Sequence, residues 1–406
     1  MEVAAGVIAA EQVISTTLEG GIVAGVALAQ PTQPLKATFT GFASSPDNDG
    51  LDSLQRSAHT ITVLNGKAYI FGGTTPGGDY ASNDIHIVTL PDPSPASNKE
   101  YQCIPPLSAQ ENGQLPPKMA NHTACAIGDV ILFYGGTENP SGFVEGVWEF
   151  DTKTLRWTKG GEQEAGGAVP PTRHSHNAVV HQDAMIIHGG VSAKEEPLND
   201  AWIFYTPFQG WTEMPSPPVS AQQSSLAVVD DVLYLIEHST SHIDTIHRLQ
   251  LKVRDSVWQT ITLPSSPEQP IPESRTGSQL IPISTGHGRN YILQLFGVKH
   301  TPLETLSSEQ AYLSDMWTLQ LPSSSTSVTK LKDSTRETLN FFSGEFSWGK
   351  VEVVARDQEV ASEGKSLPGP LAHFAVSSID DKTVLLWGGV DATGKTVGDG
   401  WLLKLE

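Results

Sequence analysis

A short apolar run that ends in two glycines recurs along this 406-residue chain and constrains its fold more than any other feature. The complete copies are Ala68–Gly73, Ile131–Gly136, Met185–Gly190 and Leu385–Gly389. Weaker copies are Leu293–Val298 and Val232–Ile236, the latter followed by Glu237 and His238 in place of the glycines. Aligned on the first glycine, the copies fall at 72, 135, 189, 237, 297 and 388, a spacing near or above roughly 50 residues. This spacing predicts six copies of one supersecondary unit.

Three of the units share an internal register. A long side chain lies sixteen residues before the first glycine and a histidine lies thirteen before it, in the sets Arg56, Met119, Arg173 and His59, His122, His176. Behind the glycines comes an Asp or Gly with apolar and aromatic residues, as in Asp200-Ala201-Trp202. A last segment carries Trp157, Trp211, Trp258 or Trp348, with Tyr101 in the first unit. Each unit therefore predicts four strands.

These motifs resemble the kelch-repeat family, whose pattern is an inner strand, a Gly-Gly strand, an aromatic strand and a Trp strand. The resemblance covers roughly residues 35–406 and implies an all-β, six-bladed kelch-type β-propeller. The composition agrees, because 37 Gly and 28 Pro with 17% charged residues are typical of many short strands joined by turns.

The last unit ends at Trp401–Glu406 without a Trp strand of its own. Leu35–Phe42 alternates in the manner of a strand, so we predict that it closes the ring, with Phe39 in place of the missing Trp. Residues 1–34 form an N-terminal tail that is either a short amphipathic helix or a docked irregular segment. The propeller then spans 35–406 with a Ser/Thr-rich surface excursion at 322–344, and its blades lie near 56–107, 119–160, 173–214, 221–262, 275–353 and 370–406.

Charge and cysteine content limit the partners and the compartment. The formal charge of −20 disfavours nucleic acid and anionic membrane surfaces as partners. Two cysteines, Cys103 and Cys125, are too few for a disulfide framework, and the N-terminus lacks the basic start of a secretory signal. We expect a cytoplasmic monomer without a cofactor.

Arginines are the first candidates for a ligand-binding face. In kelch relatives that bind peptides, arginines at the start of the inner strands line that face, and the matching residues here are Arg56, Arg173 and Arg275. Guanidinium groups suit a carboxylate or a phosphate. The alternative is a structural role in which each arginine pairs with an Asp of a neighbouring blade.

Histidines complete the predicted face. His59, His122, His176 and His373 are assigned to one repeat position, and recurrence of this kind favours a hydrogen-bonded structural role. His174 and His176, with His122 of the neighbouring blade, offer three nitrogens to a metal, but no acidic ligand accompanies them, so we predict no metal.

The fourth unit departs most from the repeat and contains Glu237, His238, His242 and His247. A carboxylate beside imidazoles is typical of general acid and base pairs, which makes Glu237 and His238, with His122 and His176, the catalytic candidates. Ordinary drift in a degenerate repeat is the alternative. The iron motif of plant specifier proteins is incomplete, because Phe204 follows Glu196 and Asp200 where that motif has His.

Two functions remain open. The first is a protein-interaction scaffold similar to the stand-alone kelch proteins of filamentous fungi, some of which accompany secondary-metabolite pathways; Thr32–Ala37 carries part of that resemblance. The second is a cofactor-free cyclase or isomerase, or a binder of an aromatic metabolite, acting in the central pocket. A pocket lined by aromatic side chains favours the second function.

Overall fold

Six β-sheets arranged around a channel account for the repeat. The computed structural model describes residues 33–44, 54–91, 100–138, 142–161, 168–218, 224–238, 243, 245–264, 269–285, 289–299, 311–322, 346–354 and 367–406. The expected N-terminal helix and most of the segment 322–344 lie outside these residues. The described residues contain no helix long and apolar enough to cross a membrane.

Each of the first three sheets contains four antiparallel strands, ordered from the channel outward along the chain. Blade 1 consists of β2 (Thr60–Leu64), β3 (Lys67–Phe71), β4 (Ile85–Thr89) and β5 (Tyr101–Ile104). Blade 2 consists of β6 (Thr123–Ile127), β7 (Val130–Tyr134), β10 (Val147–Asp151) and β11 (Arg156–Gly160). Blade 3 consists of β13 (Asn177–His181), β14 (Ala184–His188), β16 (Ala201–Tyr205) and β17 (Gly210–Met214), with a 3-10 turn at Thr206–Phe208.

The remaining blades complete the ring. Blade 4 consists of β18 (Ser224–Val229), β19 (Val232–Glu237), β20 (Thr245–Gln250) and β21 (Gln259–Thr262). Blade 5 consists of β23 (Gln279–Ser284), β24 (Asn290–Leu295), β26 (Met316–Gln320) and β27 (Ser347–Lys350). Blade 6 consists of β30 (Ala375–Ser378), β31 (Thr383–Trp387), β33 (Asp399–Leu405), β1 (Lys36–Ser44) and β28 (Glu352–Val353). The inner strands contact one another in the cyclic order β2, β6, β13, β18, β23, β30 and back to β2.

The second strand of each blade is mainly apolar and largely buried, as in β7 and β14, because blades pack against both of its faces. Within a blade, hairpins connect the first strand to the second and the third strand to the fourth, and they lie on one side of the ring, which we call the hairpin face. The connections between the second and third strands, and those between blades, lie on the opposite side, which we call the loop face. Short paired segments strengthen the loop face: β8 (Thr137–Glu138) with β9 (Gly142–Phe143), β12 (Arg173–His174) with β15 (Val191–Ser192), β22 (Arg275–Thr276) with β25 (Val298–Lys299), and β29 (Leu371–Ala372) with β32 (Val390–Asp391).

The predicted closure by an N-terminal strand is confirmed, and with it the six-bladed propeller. β1 pairs antiparallel with β33 over seven register positions, from Ala37 opposite Leu405 to Ser44 opposite Asp399. Its first residues also pair in parallel with β28, which follows blade 5. The side-chain amide of Gln33 donates to the carbonyl oxygen of Thr318, in blade 5, at 2.9 Å. The closing segment therefore contacts both blades at the seam.

Aromatic side chains fill the wedges between blades, as the tryptophan pattern predicts. The Trp157 ring lies 5.1 Å from the rings of Phe71, Phe133 and Phe150, centroid to centroid, and so joins blade 2 to blade 1. Phe39 occupies the corresponding place at the seam, opposite Leu403 in register and stacked on Phe296 of blade 5 at 6.3 Å. The expectation that Phe39 replaces the missing Trp is confirmed.

The structure corrects the glycine register in blade 5. The first glycine of a pair has φ near 64° and the second near 95°, as in Gly135 and Gly136. In blade 5 these conformations belong to Phe296 (φ 47°) and Gly297 (φ 107°), so the pair is Phe296-Gly297 and the sequence alignment was wrong by one residue. A Cβ on Gly297 would lie 2.8 Å from the carbonyl oxygen of Thr276, which explains why glycine is kept at the second position.

Blade 4 needs the same correction. Glu237 pairs with Ser224 at the end of β19, just as Tyr134 pairs with Thr123 at the end of β7. His238, and not Glu237, therefore occupies the position of the first glycine.

Gln294 is a polar exception in the wedge between blades 4 and 5. It is fully buried on β24 between Leu280 and Trp317 in register, and neither its amide nitrogen nor its amide oxygen has a hydrogen-bond partner in the part of the chain that the structure describes. Burial of an amide without partners costs about 1–3 kcal/mol.

We expect Gln294→Leu to raise the free energy of unfolding by about 2 kcal/mol in urea titration. The exposed control Gln250→Leu should change it by less than about 0.5 kcal/mol, and a destabilised Gln294→Leu variant would contradict the assignment.

Candidate binding site at the channel

The three predicted arginines lie beneath the loop face. Each guanidinium donates through Nη1 to the carbonyl oxygen of the first residue of its own blade's glycine pair, which is Gly72 for Arg56, Gly189 for Arg173 and Phe296 for Arg275. All three arginines are 0% exposed. They therefore hold the loops of the face in place from inside the blades.

Two of these arginines form ion pairs with an Asp of the same blade. This corrects the alternative that expected an Asp of a neighbouring blade. Arg173 is bidentate, with Nη1 and Nη2 each 2.7 Å from an oxygen of Asp200. Arg275 reaches Asp315 through Nη1 alone, at 2.7 Å, while the other oxygen of Asp315 accepts from Trp317 Nε1. Burial is the largest single influence and opposes ionisation of both carboxyls. The hydrogen bond and charge of the arginine, together with the tryptophan hydrogen bond, outweigh it and hold the pKa of each Asp below its usual value.

Arg56 pairs with an imidazole. Its Nη2 lies 2.6 Å from His86 Nε2, and His86 Nδ1 lies 2.8 Å from the Tyr101 hydroxyl. Because arginine only donates, Nε2 must accept and His86 must be neutral. Burial, followed by the charge of Arg56, lowers the pKa of His86 to about 3.

A ring of residues in the left-handed backbone conformation surrounds the mouth of the channel on the loop face, and we call it the rim. Its members have φ between 53° and 64° and precede the inner strands: Ala58, Asn121, Ser175, Gly277 and His373. Their backbones bond from blade to blade, since Ala58 donates to His373, Asn121 to Ala58, Ser175 to Asn121, and His373 to Gly277. His373 belongs to this rim and not to the position of His59, which Phe374 occupies in blade 6; the assignment of His373 to the histidine repeat was wrong by one residue.

His59, His122 and His176 form a collar just inside the rim. His122 Nε2 lies 3.0 Å from the Thr60 hydroxyl of the preceding blade, and His176 Nε2 lies 2.8 Å from the Thr123 hydroxyl. In the blade that precedes His59, the position of these threonines is occupied by Ala375, which has no hydroxyl. Neither ring nitrogen of His59 therefore has a hydrogen-bond partner among the described residues. Burial lowers the pKa of His59 and His122 to about 3 and that of His176 well below its usual value. The collar is therefore neutral at pH 7.

The collar predicts two opposite changes in stability. Thr123→Val removes the partner of His176 and should lower the free energy of unfolding by about 1–2 kcal/mol. Ala375→Ser gives His59 a hydroxyl partner like those of His122 and His176, and it should raise the free energy of unfolding by about 1 kcal/mol. Urea titration at pH 7.5 measures both. If Ala375→Ser destabilises the protein as Thr123→Val does, the proposed equivalence of the three collar positions is wrong.

A cavity of about 520 Å³ extends from the rim into the channel. The inner strands of all six blades contribute to it, and its lining is mainly polar. His59, His122, His176, His238, Ser175 and His373 all line it, and Phe374 is the only Phe, Tyr or Trp among its described lining residues. Arg275 also lines it, whereas Arg56 and Arg173 do not. His174 lies at the outer edge of the rim, where its Nδ1 is 2.9 Å from the Ser175 hydroxyl and its ring packs on Phe143.

The catalytic candidates of blade 4 separate in the structure. His238 Nε2 lies 3.0 Å from the Ser225 hydroxyl at the cavity, whereas Glu237 reaches His247 Nε2 at 3.5 Å. On its other side, His247 forms a hydrogen bond with the Thr260 hydroxyl, which lies 2.9 Å from its Nδ1. His242 lies outside the described residues. In the part of the chain that the structure describes, no three His, Cys, Asp or Glu side chains converge as metal ligands, which includes the combination of His122, His174 and His176.

Sequence reasoning missed two parts of this site: the left-handed rim and the threonine partners of the collar. The threonines had a visible signal, since Thr60 and Thr123 directly follow His59 and His122. The rim had none, because its five described members share no side-chain chemistry.

Comparison with known proteins agrees with this architecture. The family model described as KLHDC2/KLHL20/DRC7 Kelch-repeats domain matches residues 58–297. The solved structure of YjhT superimposes with a TM-score of 0.56 at 14% identity, covering 90% of this chain and 99% of that one.

Relatives share part of their length with the chain. Kelch domain-containing protein 3 of Homo sapiens is 28% identical over 165 residues, which is 39% of this chain and 41% of the human protein. The F-box/kelch-repeat protein At1g51550 of Arabidopsis thaliana is 25% identical over 168 residues, 39% of this chain and 33% of that protein. The matches thus span about two fifths or less of these two relatives. With more than half of its residues matched by the family model, the chain belongs to the kelch-repeat family.

Proposed function

We propose that this protein is a protein-interaction scaffold that holds a segment of a partner on its loop face. Kelch propellers generally bind protein partners, and the fold supplies a rigid ring that presents loops from every blade. The net charge of −20 makes nucleic acid and anionic membrane surfaces poor partners for it.

The observation that carries the proposal is that the loops of blades 1, 2 and 3 contact one another beside the channel mouth. The Tyr80 hydroxyl of blade 1 donates to the Thr137 hydroxyl of blade 2 at 2.9 Å. The Phe143 ring of blade 2 packs on His174 of blade 3 at 5.6 Å. A surface that is ordered before binding loses less conformational entropy on binding, which favours affinity.

Site-specific photocrosslinking in lysate tests which face is used. The photoreactive residue benzoylphenylalanine replaces Asp79, Glu145 or Lys194, which are exposed residues on the loop face. On the hairpin face it replaces Lys67, the exposed first residue of β3, or Asp183, an exposed turn residue. We expect the loop-face positions to give the same crosslinked protein, identified by mass spectrometry, and the hairpin-face positions to give none. Crosslinks from the hairpin face alone, or no protein crosslink from any position, would overturn the proposal.

A finer version places this scaffold in the cytoplasm of a filamentous fungus, as a monomer associated with a secondary-metabolite pathway. The resemblance of Thr32–Ala37 to stand-alone fungal kelch proteins supports it, and a chain with only two cysteines, exposed Cys103 and buried Cys125, suits a reducing compartment. If the partner captured from the loop face is a biosynthetic enzyme, the finer version is supported; any other partner contradicts it.

The size of the cavity favours a second candidate, a cofactor-free cyclase or isomerase or a binder of an aromatic metabolite. A volume of about 520 Å³ suits a small molecule. The polar lining, with Phe374 as its one described Phe, Tyr or Trp residue, suits an aromatic ligand less well. Native mass spectrometry of protein purified mildly from its own lysate tests this candidate: a stoichiometric small molecule supports it, and bare protein contradicts it.

A further inference from the structure

Each blade contributes the same position of its inner strand to the cavity. The first residue of every inner strand lies in the lining, and five of these six equivalent residues carry a hydroxyl or an amide. We call this ring the neck, and it consists of Thr60, Thr123, Asn177, Ser224, Gln279 and Ala375. Because hydroxyls and amides both donate and accept hydrogen bonds, the neck suits a ligand that does the same.

Two side chains of the neck have no partner within the described protein. Thr60 and Thr123 form hydrogen bonds with collar histidines. The Asn177 amide donates to the Ser224 carbonyl oxygen at 2.6 Å. The side chains of Ser224 and Gln279, by contrast, make no hydrogen bond with any described residue. Both residues are only partly buried and line the cavity, so a ligand in the cavity can contact them.

The inner strands also direct unpaired backbone edges at the channel. In the described sheets, each inner strand stands at the end and pairs only with the second strand of its blade. Its other edge keeps N–H and C=O groups that no strand satisfies. A hydroxyl already binds one of these edges, since the Val63 N–H donates to the Ser377 hydroxyl of blade 6 at 2.9 Å. The hydroxyl groups of a ligand would meet the same kind of partner.

The described lining offers no carboxylate or ammonium group to a ligand. It includes no Asp, Glu or Lys, and its one arginine, Arg275, is 0% exposed and paired with Asp315. Burial lowers the pKa of the collar histidines and of His373, so these imidazoles are neutral at pH 7.5. An ionised ligand would lose its hydration here without meeting an accessible counter-charge, whereas an uncharged ligand avoids that cost.

We propose that the channel binds an uncharged polyol, a small molecule with several hydroxyl groups, and that Ser224 and Gln279 are two of the side chains that bind it. The cavity volume of about 520 Å³ lies within the range of small-molecule sites. This site requires no protein partner. Its ligand also differs in chemistry from the aromatic metabolite of the second candidate function, for which Phe374 is the only described Phe, Tyr or Trp in the lining.

Saturation-transfer difference NMR of the purified full chain at pH 7.5 tests the proposal. The uncharged probes are sorbitol, which is linear, and myo-inositol, which is cyclic. Sodium gluconate and N-methylglucamine are the ionised counterparts of sorbitol. We expect at least one uncharged probe to bind with a Kd of about 1 mM. Both ionised probes should bind at least tenfold more weakly than that probe, because the cavity does not compensate their lost hydration.

Substitutions in the neck locate the site. The double variant Ser224→Ala with Gln279→Leu should weaken binding of the uncharged probe at least tenfold. The matched control Gln250→Leu, at the exposed end of β20, should leave binding unchanged. If the double variant does not fold, Gln279→Leu alone decides, with an expected loss of at least threefold.

Three results would overturn the proposal: no uncharged probe binds the native protein, an ionised probe binds as tightly as the uncharged one, or the folded neck variant binds as well as the native protein. Because the measurement uses purified protein and small probes, none of these results affects the crosslinking test of the scaffold.

Discussion

Lowering the pH from 7.5 to 5.5 should remove about 7 kcal/mol from the free energy of unfolding. Five buried histidines, His59, His86, His122, His176 and His188, have pKa values lowered to about 3, to about 4 for His188, or well below the usual value for His176. Burial is the main cause for each of them. In the unfolded chain each regains a pKa of about 6.5.

The sign follows from proton uptake. Below pH 6.5 the unfolded chain binds protons that the folded protein excludes, so stability falls as pH falls and continues to fall towards pH 3. One unit below 6.5, each histidine contributes a loss of about 1.4 kcal/mol. Asp200 and Asp315, whose folded pKa values are lowered, lose their contribution only below about pH 4, outside this window.

Urea titrations between pH 7.5 and 5.5 measure the effect. His59→Leu should reduce the number of protons taken up on unfolding by about one, because it removes one histidine that cannot be protonated in the folded protein. Phe374→Leu, a change at the same repeat position without a titratable group, should leave the pH dependence unchanged. Equal stability of the native protein at both pH values would show that the collar histidines are protonated in the folded state.

Gly135→Ala should destabilise the propeller by about 3–5 kcal/mol. Gly135 has φ 64°, and a Cβ there would lie 2.5 Å from the carbonyl oxygen of Arg173 and 2.8 Å from Cε1 of His176. Both atoms belong to the next blade and are fixed, Arg173 by its ion pair and His176 by Thr123. The blades would have to separate to admit one methyl group.

Gly128→Ala in the same blade is the matched control. Gly128 has a similar φ of 59°, but a Cβ there would meet nothing within 4 Å. In this variant the free energy of unfolding should fall only by the cost of placing alanine in the left-handed backbone conformation, about 1–2 kcal/mol. If urea titration shows the same loss of unfolding free energy for both variants, glycine is required at position 135 for its backbone conformation alone and not for the close approach of the blades.

Periodicity was sufficient to predict the ring from the sequence. The Gly-Gly repeat, the tryptophans and the missing last strand predicted six blades and their closure by the segment around Phe39. The details failed where a residue broke the pattern. Phe296 takes a left-handed conformation that the alignment reserved for glycine, and His373 sits one residue away from the histidine position because Phe374 replaces that histidine.

The site was harder to predict than the fold. The arginines were correctly recognised as a repeated feature, but sequence cannot show that all three are 0% exposed beneath the face. The difference between Arg173 and Arg275 depends on whether the Asp oxygen that accepts from a tryptophan also accepts from the arginine, a property of side-chain geometry. The channel rim depends on backbone conformation that Ala58, Ser175 and His373 adopt alike despite different side chains.

Both proposals require a closed channel, and the strand β1 closes it. A disulfide between Thr38→Cys and Lys404→Cys, directly opposite in register, tests the closure most directly in a Cys103→Ser background. We predict that it forms within one chain on mild oxidation, because paired strands place such residues within disulfide reach. The control pair Thr38→Cys with Thr383→Cys lies two strands apart, about 9–10 Å, and should stay reduced. A failure of the first pair to form, with the protein folded, would contradict the closed ring.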